Sequence, residues 1–213
     1  MNWAIHTALA ATETGLVVPS TALLSVSHKA WVVHFAQDLQ RKVEWIHLLS
    51  TGGTAIALRG AWIDVQDVSE LTGFPEILDG RVKTLQPKVF WGILAARGSK
   101  IHTEELRKHD IKPIDIVVVN LYPFSEAIAK SDCTFAQAIE NVDIGGPSLI
   151  RAAAKNWDGV AVVTDPEDYA KLIECIIKNG GVTRELRLEL MKKAFAYTAT
   201  YDTIIAKYLS DQK

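Results

Sequence analysis

In Asp115-Ile-Val-Val-Val-Asn120 four β-branched residues run without a break between two polar ones. A strand with one face in water alternates apolar and polar residues, so an unbroken run marks a strand covered on both faces, as in a parallel sheet. Working outward, apolar runs at 21–26, 43–49, 62–68 and 159–164 read as further strands, each leading into a polar or glycine-rich turn, with 115–121 the clearest of the five. Between them, 29–41, 53–60, 103–110, 134–140, 147–156 and 165–178 carry helical spacing, several opening on Thr, Asp or Gly. From 183 to 209 apolar residues recur at helical spacing, predicting one or two terminal helices over the sheet, with Gly180-Gly181 as the stop before them. The alternation predicts a three-layer α/β fold, a Rossmann-like parallel sheet flanked by helices, with right-handed crossovers.

Composition narrows the function. The 213 residues suffice for one large domain, and 48% hydrophobic with 23% charged residues argues against disorder or a coiled coil. With 23 basic and 25 acidic residues the net charge is -2, too little for the positive field that nucleic acid requires. Any bound anion must therefore be held by locally aimed N–H groups, hydroxyls and a few cations. Cys133 and Cys175 have neither a metal-ligand spacing nor a CxxC pairing, which predicts free thiols in a reducing, cytoplasmic setting and no metal. No apolar run reaches the ~18 residues that a bilayer span needs. Residues 1–21 lack a basic start and are broken by Glu13 and Pro19, so they read as a loosely packed leader of unknown role rather than a secretory signal. No repeat or linker divides residues 22–213.

Ligands of open parallel sheets bind beyond the carboxyl ends of the strands, where helix amino termini present free N–H groups. Three turns fit. Ser25-Val-Ser27-His28-Lys29 offers two hydroxyls and an ammonium before a helix, although serines there also serve as plain caps. Ser50-Thr51-Gly52-Gly53-Thr54 has paired glycines that let the backbone approach a phosphate, although the same glycines fit a tight turn with Thr54 capping a helix. It lacks the lysine and spacing of a P-loop. Gly80-Arg81-Val82-Lys83-Thr84 places two cations that an extended segment would aim the same way; an exposed basic loop is the alternative. Further on, Asn120-Leu-Tyr122 leaves the strand of 115–121, and Asp143-Ile-Gly145-Gly146-Pro147 opens a helix that carries Lys155 about two turns along, which predicts a carboxylate, an N–H cluster and a lysine near one another.

Taken together, Leu24-Ser-Val-Ser27, Ser50-Thr-Gly-Gly-Thr54, Asp67-Val-Ser-Glu-Leu-Thr-Gly-Phe-Pro-Glu76, Gly80-Arg-Val-Lys-Thr-Leu85, Asn120-Leu-Tyr-Pro-Phe124, Asp143-Ile-Gly-Gly-Pro147 and Arg151-Ala-Ala-Ala-Lys-Asn156 resemble, in order, the IMP cyclohydrolase domain of the bifunctional purine-biosynthesis enzyme. The resemblance runs from about Ala22 to Leu209 and implies a methylglyoxal-synthase-like fold. It implies closure of the second purine ring, from 5-formamidoimidazole-4-carboxamide ribotide to inosine monophosphate and water, without a cofactor. On this resemblance Lys83, Tyr122, Asp143 and Lys155 are catalytic. Ser25, Ser27, Lys29, Thr51, Gly53, Thr54, Arg81 and Thr84 hold the ribose 5′-phosphate, and Asn120, Gly145 and Gly146 serve the base and the oxyanion. The AICAR transformylase module that usually follows is expected to be absent from a chain stopping at Lys213, so a separate transformylase and a homodimer are the partners left open beside the purine nucleotide.

Departures from the pattern are local. His28 stands where the family usually has Asp, and Gln86, Phe90 and Trp91 replace two histidines and a glycine. Trp31, Trp45 and Trp62 fall near usual glycines and Trp157 near a usual histidine. If buried, each indole is expected to overpack its site by about 1–3 kcal/mol. Two other readings compete with the cyclohydrolase: a catalytically weak nucleotide-binding or regulatory module, and a methylglyoxal-synthase-like lyase.

Overall fold

The computed structural model describes residues 15–29, 31–75 and 77–212, without the side chain of residue 79. Its strands are β1 (Thr21–Val26), β2 (His47–Ser50), β3 (Gln66–Asp67), β4 (Ile116–Asn120) and β5 (Ala161–Val163). All are parallel, in the order β3-β2-β1-β4-β5. The helices are α1 (Val32–Lys42), α2 (Gly52–Gly60), α3 (Val68–Thr72), α4 (Pro87–Leu94), α5 (Lys100–Lys108), α6 (Phe124–Ile128), α7 (Phe135–Glu140), α8 (Gly145–Lys155), α9 (Asp168–Asn179) and α10 (Arg184–Ser210). The three-layer α/β expectation is met.

Period-two alternation within each strand builds two cores. Leu24, Val26, Ile116, Val118, Ala161 and Val163 face one side and pack with Phe35 and Leu39 of α1 and Leu172 and Ile176 of α9. Leu23, Val117, Val119 and Val162 face the other and pack with Val89 and Ile93 of α4 and Leu149 and Ala153 of α8. The long α10 passes along the β5 edge, giving Leu186 and Leu190 to the first core and Ala194 and Tyr201 to the second.

Two expected strands are shorter than the sequence suggests, for a backbone reason. Trp45 and Trp62 adopt φ of 62° each, a left-handed turn conformation that ends pairing, so β2 begins only at His47 and β3 keeps two residues. Val68, placed in a strand by its side chain, starts α3 instead, because the Asp67 carboxylate accepts from the Ser69 N–H at 2.9 Å and caps a helix there. Among the helices that the apolar spacing does not announce, α4 carries Pro87 in its first turn, a start signal present in the sequence. The condition for overpacking is not met at four of these indoles: Trp45 is 90% and Trp62 97% exposed, Trp31 and Trp91 more than half, while Trp157 is half-buried.

The described part of residues 1–21 is anchored, not loose. Thr21 belongs to β1, Val17 pairs with Val182 in an antiparallel bridge, and the Gly15 carbonyl accepts from Arg187. Residues 1–14 lie outside the described residues. No described helix is long and apolar enough to cross a membrane. Cys133 and Cys175 are both free thiols.

Candidate active site

β1 sits between β2 and β4, and the chain runs outward from it in both directions, so the crevice beyond the carboxyl ends of β1 and β4 is the switch point of the sheet. A cleft of about 770 Å³ lies there, within the size range of small-molecule sites. Two helix amino termini line it: α2, which starts directly after β2, and α8, which follows the turn of residues 141–144.

The α2 side is built for an anion. Thr51 precedes the helix in extended conformation and makes no side-chain cap, so the first amides of α2 stay open. Gly52 has φ +48°, which glycine adopts without strain. A methyl group on Gly52 would meet Lys83 Nζ at 3.4 Å, and one on Gly53 would meet Lys29 Cε at 3.1 Å and Nζ at 3.4 Å. Two ammonium groups from different loops thus close on one glycine pair, and each glycine leaves room for one of them. Lys83, which the resemblance makes catalytic, therefore stands at the expected phosphate end. Ser25 Oγ lies 3.2 Å from Thr51 Oγ1, which places both hydroxyls beside the same helix start.

Other candidates are committed to holding the scaffold. Thr54 donates to the Val26 carbonyl at 3.0 Å and accepts from the Val26 N–H at 3.1 Å, so its hydroxyl pins α2 to β1 and has no donor left for a phosphate. Ser27 Oγ shares its proton between Asn120 Oδ1 (2.9 Å) and the Leu121 carbonyl (2.7 Å). Asn120 Oδ1 also accepts from the N–H groups of Ser27 (2.7 Å) and His28 (3.0 Å), and its Nδ2 donates to the His28 carbonyl at 3.4 Å. Asn120 is thus a staple between the two turns at the switch point, not a free reader of a base. Arg81 follows a 3₁₀ turn with φ −59° and ψ −26°, so the extended segment that would aim it alongside Lys83 does not form; it pairs with Glu140 at the cleft rim.

On the α8 side, Asp143 Oδ1 accepts from the Gly146 N–H at 2.9 Å. That takes one helix-start amide, and Pro147 has none, which leaves Gly145 as the open donor there. A methyl group on Gly145 would come within 3.0 Å of the buried Thr84 hydroxyl, so Thr84 stands against this wall of the cleft. Tyr122 is 61% exposed and stands between the cleft and a neighbouring cavity of about 780 Å³ that also takes in His28, Lys193 and Tyr197. There Lys193 is clasped by Asp168 at 2.5 Å, a hydrogen bond that raises its pKa and neutralises its charge locally. Lys155 is not brought to the cleft. It lies ten residues beyond Gly145, about 15 Å along the helix, exposed in its last turn. Gln86, Phe90 and Trp91 do not line the cleft either.

Side chains that the apolar reading of 183–209 treats only as cover take part here. Ile205 and Leu209 of α10 line the cleft, Tyr197 OH accepts from the Leu121 N–H (3.0 Å), and Tyr201 OH accepts from the Asp143 N–H (2.8 Å). Their spacing of four, one turn of a helix, is the signal that the sequence offered.

A parallel sheet with two open helix starts and two lysines over a glycine pair at its switch point has the geometry of an anion-binding cleft. The chain belongs to the family of the MGS-like domain, whose family model matches residues 31–148, and residues 153–213 match the model of the AICARFT/IMPCHase bienzyme. It is 52% identical over 190 residues to the bifunctional purine biosynthesis protein PurH of Acidithiobacillus ferrooxidans, covering 89% of this chain and 36% of that protein. It is 50% identical over 191 residues to PurH of Streptococcus mutans, covering 90% and 37%. The chain therefore spans little more than a third of these relatives. The crystal structure of ForH superposes with a TM-score of 0.80 at 36% identity, covering 89% of this chain and 96% of that one.

Proposed function

We propose that this chain is an IMP cyclohydrolase that closes the purine ring of 5-formamidoimidazole-4-carboxamide ribotide. The observation that carries the reading is the pair of open helix starts facing one cleft, one dressed with lysines for a phosphate and the other with a carboxylate for the chemistry. The 5′-phosphate sits on the Gly52 and Gly53 amides, with Lys29, Lys83, Ser25 and Thr51 around it. The heterocycle then extends toward Asp143 and Tyr122.

In the reaction the carboxamide nitrogen attacks the formyl carbon and forms the new N–C bond while one of its protons passes to the formyl oxygen; the resulting hydroxyl then leaves as water with the proton of the formamide nitrogen, which forms the C=N bond of the new ring. An amide nitrogen is a poor nucleophile, and the adduct carries an oxyanion. Asp143, held in place by the Gly146 N–H, takes or orients the amide proton. The Gly145 N–H at the positive end of α8 stabilises the oxyanion, and Tyr122 supplies a further donor.

Lys155, assigned to the same chemistry by resemblance, reaches a cleft only across an interface between two copies, so its role and a homodimer are proposed together. Mixing inactive Lys155→Ala and Asp143→Asn chains restores activity if this holds; no recovery removes Lys155 from the site. A transformylase partner and a cytoplasmic setting belong to the same proposal. The decisive experiment incubates the folded chain with the formylated ribotide and follows inosine monophosphate formation. Turnover no faster than buffer would refute the reading, and nucleotide binding without turnover would favour a binding module.

A further inference from the structure

We infer that Tyr201 and Tyr197 are positioning residues that fix the two chemical turns of the cleft relative to each other through their backbone amides. The inference rests on the cyclohydrolase reading for its effect on rate, but not for the contacts themselves.

Leu121 follows the last residue of β4 and Asp143 precedes α8, so neither N–H has a partner within its own element. Each donates to a phenol oxygen of α10: Leu121 to Tyr197 at 3.0 Å and Asp143 to Tyr201 at 2.8 Å. The two tyrosines stand one helical turn apart on one face of one rigid helix. They set the spacing between the turn bearing Tyr122 and the turn bearing Asp143. Both rings are packed into the core that α8 and β4 share, Tyr201 buried and Tyr197 half-buried. Burial pushes both phenols above their usual pKa, so each stays a neutral hydroxyl and the clasp persists across neutral pH.

The contact does more than fill a hydrogen bond. Asp143 is held twice, by its N–H on Tyr201 and by its carboxylate on the Gly146 N–H. With only the second tie, the carboxylate keeps its partner but the turn is free to rotate about it. A misplacement on the order of 1 Å at a reacting group costs about 10²-fold in rate, so a partial loosening costs less. Neither tyrosine is among the residues that line the cleft with the α2 cradle, and substrate binding should not change.

The test uses Tyr201→Phe and Tyr197→Phe in the full chain, each keeping its ring and removing only the acceptor. Amide hydrogen exchange resolved at residues 143 and 121 reads the contact, and steady-state cyclisation reads its consequence. Tyr201→Phe is expected to speed exchange at Asp143 at least tenfold and lower kcat about tenfold, with KM within twofold and little change in melting temperature. Tyr197→Phe should speed exchange at Leu121 while leaving Asp143 protected, which tests the clasp independently should the first variant fail to fold. Unchanged exchange overturns the clasp. Faster exchange with kcat within twofold overturns the positioning role, as does a KM that rises as much as kcat falls. If the wild-type chain does not cyclise the ribotide, the cyclohydrolase reading fails, while the exchange arm still decides on the contacts.

Discussion

Gly146→Ala places the sharpest demand on the proposed chemistry. A methyl group built there stands 2.5 Å from Asp143 Oδ2, 2.5 Å from Leu121 Cδ2 and 3.1 Å from Asp143 Cγ. Ordinary contact begins near 3.4 Å, so the carboxylate must retreat by about 0.9 Å or rotate off the Gly146 N–H that holds it. A shift of that size at a proton-accepting group predicts a fall in kcat of about 10²-fold. KM should stay within twofold, because the phosphate cradle lies at the other helix start. The cost in stability is modest: overpacking of about 1–3 kcal/mol is offset by about 1 kcal/mol of helix propensity gained over glycine. The variant should therefore fold, melting up to about 8 °C lower, at roughly 2–4 °C per kcal/mol for a chain of this size. Gly60→Ala, at the end of α2 with nothing within 4 Å of the added methyl, is the matched control and should leave kcat unchanged. Stopped-flow or continuous absorbance assays of ring closure give both constants. A Gly146→Ala kcat within twofold of wild type would refute the assignment of Asp143 as the positioned acid–base group.

The double variant Trp45→Gly, Trp62→Gly should be more stable: the left-handed backbone costs about 1–2 kcal/mol per non-glycine residue. The two indoles bury almost nothing, and after the chain entropy of glycine a net gain of about 0.5–1 kcal/mol per site remains. Calorimetry should find a melting point roughly 2–8 °C higher, and a lower one would contradict the strain argument. Tyr169→Phe tests a buried phenol that has no hydrogen-bond partner among the described residues and whose pKa is pushed up to about 12, first by burial and then by Asp165. Because the folded value lies above the unfolded one, Tyr169 stabilises the wild type fully only below about pH 10, and that stability is lost as pH rises toward 12. The phenylalanine variant should be at least as stable at neutral pH and decline less steeply between those values; equal alkaline slopes in denaturant titrations would count against it. Lys29→Ala should raise KM with kcat little changed, and Arg81→Ala should raise it less, since Arg81 is already paired with Glu140. Equal effects would show that Arg81 leaves its carboxylate for the ligand.

What the sequence made legible was whatever depends on local pattern. The Ile116–Asn120 run, the paired glycines of α2 and the Asp143-to-Pro147 helix start each announce themselves through burial, turn chemistry or capping, and each lies where it was expected. What it concealed was whatever depends on backbone sign or on partners far along the chain. Valine and tryptophan at 43–45 and 62–65 read as strand because their side chains favour strands, yet the left-handed φ at Trp45 and Trp62 ends pairing. No composition rule foresees an indole there.

The same distinction explains how the site residues divide. A hydroxyl or amide in a loop motif looks like a ligand group whether it faces solvent or a backbone 90 residues away. Ser27 and Asn120 meet each other across β1 and β4, Thr54 meets Val26, and Tyr201 meets Asp143, all over sequence distances that no local pattern encodes. At a switch point these ties are needed, because the chain leaves β1 and β4 toward opposite edges of the sheet and the turns beyond Val26 and Asn120 have no ladder to hold them. A cleft that must present two helix starts to one substrate therefore spends several polar side chains on fixing its own walls, and on the proposed function the groups left to touch the ligand are the open glycine amides, the lysines beside them and the outer oxygen of Asp143.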